Sequence, residues 1–149
     1  MVLQLLSHPI VLPTLAAYGA SLIGKIMTES FQRKSITFRH FLRDGGMPSS
    51  HTAIVVGFTT AVYLAEGATS VFWMAVLLSL IVMRDAMSVR YEAGRQGKVL
   101  NRIIRKLQIG ETLGEKQFKE LLGHTPTQVL VGLVLGILIS WGTYVLLFS

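Results

Sequence analysis

The chain contains no cysteine among its 149 residues. It therefore has no disulfide framework, no thiolate zinc site and no cysteine nucleophile. Charged residues are also scarce, because they make up 15% of the chain, whereas soluble domains contain about 25%. This scarcity argues against an ordinary water-soluble globule, and the hydrophobic fraction of 51% excludes a disordered chain.

Four long stretches of the sequence carry few or no charges. A membrane-spanning helix needs roughly 20 apolar residues, so we predict an all-α fold, a polytopic membrane helix bundle that forms a single domain over residues 1–149. The predicted spans are residues 10–28, 52–65, 70–89 and 125–148. A soluble bundle of buried helices is the alternative, but so little polar chain cannot cover four such helices.

Basic residues are absent from one side of this four-span arrangement. All 14 lie in the segments after the first and third spans, or at the ends of the spans that lead into them. The positive-inside rule places that side in the cytoplasm, or in the stroma of a plastid. We therefore expect an integral protein of a bacterial inner membrane or of a thylakoid or plastid membrane. No Lys or Arg precedes Lys25, so the first span lacks the basic start of a cleaved signal peptide and is expected to be retained.

Residues 91–108 combine apolar residues at helical spacing with basic residues on the remaining face. The apolar set is Val99, Leu100, Ile103, Ile104 and Leu107. This pattern predicts an amphipathic helix that lies on an anionic membrane surface, although a helix packed on its own domain would show the same pattern. We assign the excess positive charge to topology and anionic lipids and expect no nucleic-acid partner, because no nucleic-acid-binding motif accompanies it.

Small residues recur at four-residue spacing in two of the predicted spans. Gly132 and Gly136 form one such row, and Ala16, Ala20 and Gly24 form another. Rows of this kind let membrane helices approach closely. We expect them to pack helices within the chain, and a homo-oligomer formed through the same faces is a further expectation.

The segment before the second span has the composition of a phosphate cradle. Gly46 permits a tight turn, and Pro48 follows it; Ser49 or Ser50 can cap the helix that comes next. The N–H groups and the dipole of that helix start attract an anion. His51 can move a proton near neutral pH. A plain capped helix with a surface histidine is the alternative.

Two further polar clusters fall at the same membrane face. Asp85 lies inside the last third of the third span, where an ionisable residue marks a functional site or a buried pair. At the fourth span, Thr125 is predicted to cap the helix, Pro126 to take its first position and Gln128 to close a capping box. That structural role does not explain His124, which precedes the cap. A basic pocket that meets a lipid headgroup unites these clusters, and a transporter is disfavoured because the middle of every span lacks charge.

Two segments resemble the histidine motifs of the type 2 phosphatidic acid phosphatase and vanadium haloperoxidase superfamily. They are PSSHTA at residues 48–53 and GHTPTQVLVGLVLG at residues 123–136. The chain is most similar to the small divergent bacterial and plastid branch. In that branch GGMPSSH, a stretch matching residues 85–94, a later Leu-Asn (Leu100-Asn101) and LLGHTP occur in this order. The resemblance covers most of the chain.

The resemblance implies a phosphohistidine mechanism without a metal or cofactor. His124 would attack phosphorus, and His51 would protonate the leaving alkoxide and later activate water. The expected phosphate-binding residues are Ser49, Ser50, Arg90 and Lys119, and the expected supporting residues are Gly46, Pro48, Asp85 and Gln128.

The implied substrate is a lipid phosphate monoester or diphosphate of phosphatidylglycerophosphate, phosphatidate or polyprenyl type. The chain departs from the superfamily pattern where a carboxylate is replaced by Gln128 and a Ser-Arg pair by Gln117 and Phe118. These departures leave a second hypothesis open. The chain would then be a non-catalytic membrane protein that binds an anionic headgroup or assists assembly of a membrane complex.

Overall fold

The computed structural model describes residues 7–33, 46–107 and 124–149, and all regular structure in these ranges is helical. Their five helices are α1 (Val11–Arg33), α2 (Ser50–Glu66), α3 (Ser70–Met87), α4 (Val89–Leu107) and α5 (Pro126–Phe148). The all-α prediction is confirmed. The segments Val11–Thr28, Ser70–Ile104 and Pro126–Phe148 are long and apolar enough to cross a membrane.

The second predicted span corresponds to α2, which has 17 residues. At 1.5 Å per residue it rises about 26 Å, slightly less than the roughly 30 Å of a hydrocarbon core. It packs against α1, α3 and α5, and α1 also packs against α5. α2 is therefore the central helix of the described bundle.

The bundle has small residues inside and large apolar residues outside. Its buried apolar residues are mainly alanine and valine, whereas many leucine, isoleucine and tryptophan side chains are exposed. Leu77 and Ile81 on α3 and Leu138 on α5 are all more than half exposed. Lipid tails are as apolar as leucine, so membrane helices gain little by burying such side chains and associate through small residues instead.

The contact between α2 and α5 depends on the glycine row of α5. A Cβ atom at Gly132 would lie 2.5 Å from the Ser49 carbonyl oxygen, and one at Gly136 would lie 2.9 Å from the Ala53 carbonyl oxygen. Both distances are too short for a carbon atom, so only glycine permits this approach. The expected packing role of this row is therefore found within the chain.

Hydroxyl groups join the helices in the interior of the bundle. The Ser140 hydroxyl on α5 donates to the Gly57 carbonyl on α2 at 2.8 Å. The hydroxyls of Ser79 on α3 and Thr59 on α2 lie 2.9 Å apart. Hydrogen bonds of this kind between membrane helices contribute about 0.6 kcal/mol on average, so they add to the close packing without dominating it.

One end of the bundle, which we call the site end, collects the starts of α2 and α5 and the later parts of α1 and α3. The Ser49 amide donates to the Gln128 carbonyl at 3.1 Å, and the His124 amide donates to the Ala86 carbonyl at 3.0 Å. The Thr28 hydroxyl of α1 donates to the Met47 carbonyl. These bonds fix the loops that carry both histidine motifs to the bundle.

Candidate active site

Ser49 caps α2 at the centre of the site end. Its side-chain oxygen accepts the Thr52 amide at 3.4 Å and the Thr52 hydroxyl at 3.1 Å. Ser49 is completely buried, whereas the next residue, Ser50, is half-buried. The sequence left the choice of capping serine open, and the structure assigns it to Ser49.

Thr125 caps α5 in the predicted manner. Its hydroxyl accepts the Gln128 amide at 3.4 Å, while the Gln128 side-chain oxygen accepts the Thr125 amide at 3.1 Å. Pro126 takes the first position of the helix. The predicted capping box is confirmed, and it determines the orientation of the Gln128 side chain.

The orientation of Gln128 in turn determines the tautomer of His124. The Thr125 amide can only donate, so the Gln128 atom facing it must be the carbonyl oxygen rather than the NH₂ group. The same oxygen lies 3.2 Å from His124 Nδ1. Because that oxygen can only accept, Nδ1 must carry a hydrogen. A neutral His124 then presents its lone pair on Nε2.

His51 and His124 lie next to each other although 72 residues separate them in sequence. Their ring centroids are 5.8 Å apart, with an angle of 62° between the ring planes. His124 is buried at 5% exposure, and His51 is half-buried on the first turn of α2. The two rings are close enough for one small anion to contact both of them.

The predicted supporting residues differ in position. Gly46 has a φ of 93°, which is the left-handed conformation that glycine favours, and Pro48 is buried. Asp85 is exposed on α3 and directly precedes Ala86, whose carbonyl accepts the His124 amide. The Arg90 side chain and the whole of Lys119 lie outside the described residues.

Lys25 is a buried cation that the sequence analysis treated only as a topology signal. It lies on the same face of α1 as the buried Ala17 and Ser21, and its exposure is 6%. The neighbouring Gly24 would place a Cβ atom 3.1 Å from the Pro48 ring. Lys25 therefore lies at the same height along the bundle axis as the segment that precedes α2. Its position four residues after Ser21, which itself follows Ala17 by four, is the signal that could have identified it.

Metal ligation finds no support in residues 7–33, 46–107 and 124–149, which contain no group of three His, Cys, Asp or Glu side chains able to hold an ion. The helix starts favour an anion instead, because His51 lies in the first turn of α2 and His124 directly precedes the cap of α5. Gly24, the neighbour of the buried Lys25, lies against Pro48 in the segment before α2.

Comparison with known proteins identifies relatives of the chain. A family model described as "Divergent PAP2 family" matches residues 6–139. The chain is 31% identical over 150 residues to the "Uncharacterized membrane protein YuiD" of Bacillus subtilis (strain 168), covering 93% of this chain and 95% of the relative. No solved structure matches the chain significantly. The relative and the apolar helices together indicate an integral membrane protein.

Proposed function

Because the chain belongs to the divergent PAP2 family, we propose that it hydrolyses a phosphate monoester or diphosphate of a membrane lipid through a phosphohistidine intermediate. The observation that carries the proposal is the buried His124, whose Nδ1 is held by Gln128 and whose ring lies 5.8 Å from that of His51. A neutral histidine held in this tautomer carries its lone pair on Nε2, which is the atom that we propose attacks phosphorus.

In the first step, His124 Nε2 forms a bond to phosphorus while the bond from phosphorus to the leaving oxygen breaks. His51 donates a proton to that oxygen, which leaves as an alcohol or as a lipid monophosphate. In the second step, the now neutral His51 takes a proton from water, whose oxygen attacks phosphorus. The phosphorus–nitrogen bond breaks, inorganic phosphate leaves and both histidines return to their starting states.

Phosphoryl transfer depends mainly on positioning and on neutralisation of the phosphate charge. We assign phosphate contacts to the start of α2, including Ser50, and to Lys25, together with the sequence candidates Arg90 and Lys119. Ser49 is buried as the helix cap, so its role is to shape the turn. An ionisable residue buried in a membrane helix is by default part of a functional site, which supports the assignment of Lys25.

Phosphate release from purified protein tests the proposal. The wild type should release phosphate from at least one of phosphatidylglycerophosphate, phosphatidate and a polyprenyl diphosphate. His124→Ala should abolish turnover and covalent labelling by a ³²P-labelled substrate. His51→Ala should impair hydrolysis of these lipids more than hydrolysis of an activated aryl phosphate, whose leaving group needs little protonation. Wild-type turnover by His124→Ala would contradict the mechanism.

Gln128→Glu separates the catalytic proposal from its alternative. A glutamate keeps the acceptor for Thr125 and Nδ1 of His124 and adds a negative charge that stabilises the imidazolium. We expect equal or higher turnover with unchanged folding. The neutral Gln128 favours the second candidate, a non-catalytic protein that binds an anionic headgroup. If neither the wild type nor Gln128→Glu hydrolyses any substrate, but phosphate protects both histidine segments from hydrogen exchange, that candidate replaces the first.

A further inference from the structure

α4 presents three different faces. Gly94, Gly97 and Asn101 are buried at the spacing of one helix face, so the helix packs against the rest of the protein on that side. A second face consists of exposed aliphatic side chains and a third of exposed basic side chains. The aliphatic set is Val99, Leu100 and Ile103, and the basic set is Arg95, Lys98, Arg102 and Lys106.

The exposed aliphatic face of α4 needs a partner other than water. Val99 is 50% exposed, Leu100 41% and Ile103 45%. A contiguous apolar face beside a row of basic residues is the pattern of helices that lie in the plane of a membrane interface. The basic side chains are complementary in charge to anionic headgroups, which attract Lys and Arg near such a surface.

The length of the chain before α4 places it outside the hydrocarbon core. α3 ends at Met87 and α4 begins at Val89, with Ser88 forming the turn between them. The Ser88 amide donates to the Arg84 carbonyl and the Glu92 amide to the Ser88 carbonyl, so the turn is short. The 35 residues Ser70–Ile104 would rise about 52 Å, whereas the hydrocarbon core is roughly 30 Å thick. Once α3 has crossed the core, α4 must therefore lie beyond it.

From these observations we propose that α4 is an interfacial helix at the site end, with its aliphatic face in the lipid and its basic face bound to anionic headgroups. The bilayer is the partner that covers Leu100 and Ile103. This inference does not depend on catalysis, because it uses only the burial, charge and length of α3 and α4.

The absence of cysteine makes the test direct, since any single cysteine introduced can be labelled alone. Nitroxide labels at Ile103→Cys and Lys98→Cys are compared in nanodiscs of phosphatidylcholine containing phosphatidylglycerol. Leu138→Cys on the exposed face of α5 and Ala68→Cys in the turn before α3 are the lipid and water references. We expect the ratio of oxygen to nickel-chelate collisions at Ile103 to exceed that at Lys98 several-fold. A label at Ile103 that behaves like the one at Ala68 would overturn the proposal.

The role of headgroup charge is tested separately. Removing phosphatidylglycerol from the nanodisc should lower the collision ratio at Ile103, and Lys98→Gln with Arg102→Gln should cause a similar loss in the anionic nanodisc. The matched control, Lys98→Arg with Arg102→Lys, keeps both charges and should keep the wild-type ratio. A ratio at Ile103 that is the same with and without phosphatidylglycerol would contradict the anionic-headgroup contact.

Discussion

The two ends of the bundle differ in the kinds of side chain that they bring together. At the site end, buried polar groups make specific hydrogen bonds, such as those between Gln128 and His124. At the opposite end, aromatic rings pack together, with Tyr63 and Phe72 5.2 Å apart and Phe72 and Trp73 5.1 Å apart. Aromatic rings suit a membrane interface. The comparison separates an end with buried, hydrogen-bonded polar groups from an end whose aromatic rings suit contact with the bilayer interface.

The distribution of charge separates the ends in the same way. All 14 basic residues fall on the site side of the proposed topology. At the opposite end, the turn between α2 and α3 has no charged residue, and Glu66, the last residue of α2, is the one charge beside it. By the positive-inside rule, we propose that the site faces the cytoplasm or the stroma.

The largest expected effect is the labelling of the two ends from opposite sides of the membrane. In bacterial cells expressing the protein, a membrane-impermeant maleimide should label Ala68→Cys in intact cells. It should label Gln96→Cys on α4 only after permeabilisation. Both positions are exposed in the structure, so a failure to react reports on sidedness rather than burial. Labelling of both positions in intact cells would disprove the proposed orientation.

Glycine-to-alanine changes at the two ends of α5 should have opposite effects on stability. The Cβ atom of Gly132→Ala would lie 2.5 Å from a backbone oxygen, so α2 and α5 must separate. Overpacking of this kind costs about 1–3 kcal/mol. Gly142→Ala meets nothing within 4 Å, and its higher helix propensity favours the helix by up to about 1 kcal/mol.

Thermal unfolding in detergent measures the difference. Each kcal/mol corresponds to a shift in Tm of roughly 2–4 °C for a chain of this size. The Tm should fall for Gly132→Ala and stay level or rise for Gly142→Ala. Equal shifts for both variants would show that the glycine contact with Ser49 does not hold the site end together.

Removal of the helix caps should give the smallest difference in stability between the two ends. Ser49 caps α2 at the site end and Thr69 caps α3 at the opposite end, each accepting an amide at 3.4 Å. Ser49 is completely buried and Thr69 is exposed. Loss of a cap costs about 0.5–2 kcal/mol. Because water can replace the Thr69 hydroxyl but cannot reach Ser49, we expect Ser49→Ala near the upper limit and Thr69→Ala near the lower one.

Denaturation of both variants in the same detergent checks this prediction, and Thr69→Ser serves as a control that keeps the cap hydroxyl. If the two alanine variants lose the same stability, burial of the cap does not distinguish the ends. Phosphate release adds a second readout, since Ser49→Ala disturbs the proposed phosphate cradle, whereas Thr69→Ala leaves it intact.

The sequence predicts the helices well because they depend on local signals. Long apolar runs and the capping residues Thr125, Pro126 and Gln128 are sufficient to locate α5 within one residue of its observed start. The predicted span topology also places His51 and His124 at the same membrane face. Their separation of 5.8 Å depends on how α2 and α5 pack, which no local pattern contains.

Other features of the site depend on contacts between distant segments. The burial of Lys25 requires α1 to present its small-residue face to the rest of the bundle. The tautomer of His124 follows only once the Gln128 oxygen is seen to accept both the Thr125 amide and Nδ1. Each of these results needs the positions of two or more segments together, so neither could be read from spacing alone.

The backbone contact at Gly132 and Gly136 also has a mechanical consequence. Gly132 and Gly136 bring the α5 backbone against the carbonyls of Ser49 and Ala53, so little space remains between α2 and α5 and the contact resists compression. The lateral pressure of a bilayer varies with the shape of its lipids. We expect changes in that pressure to displace α4, while the two histidines keep their distance from each other.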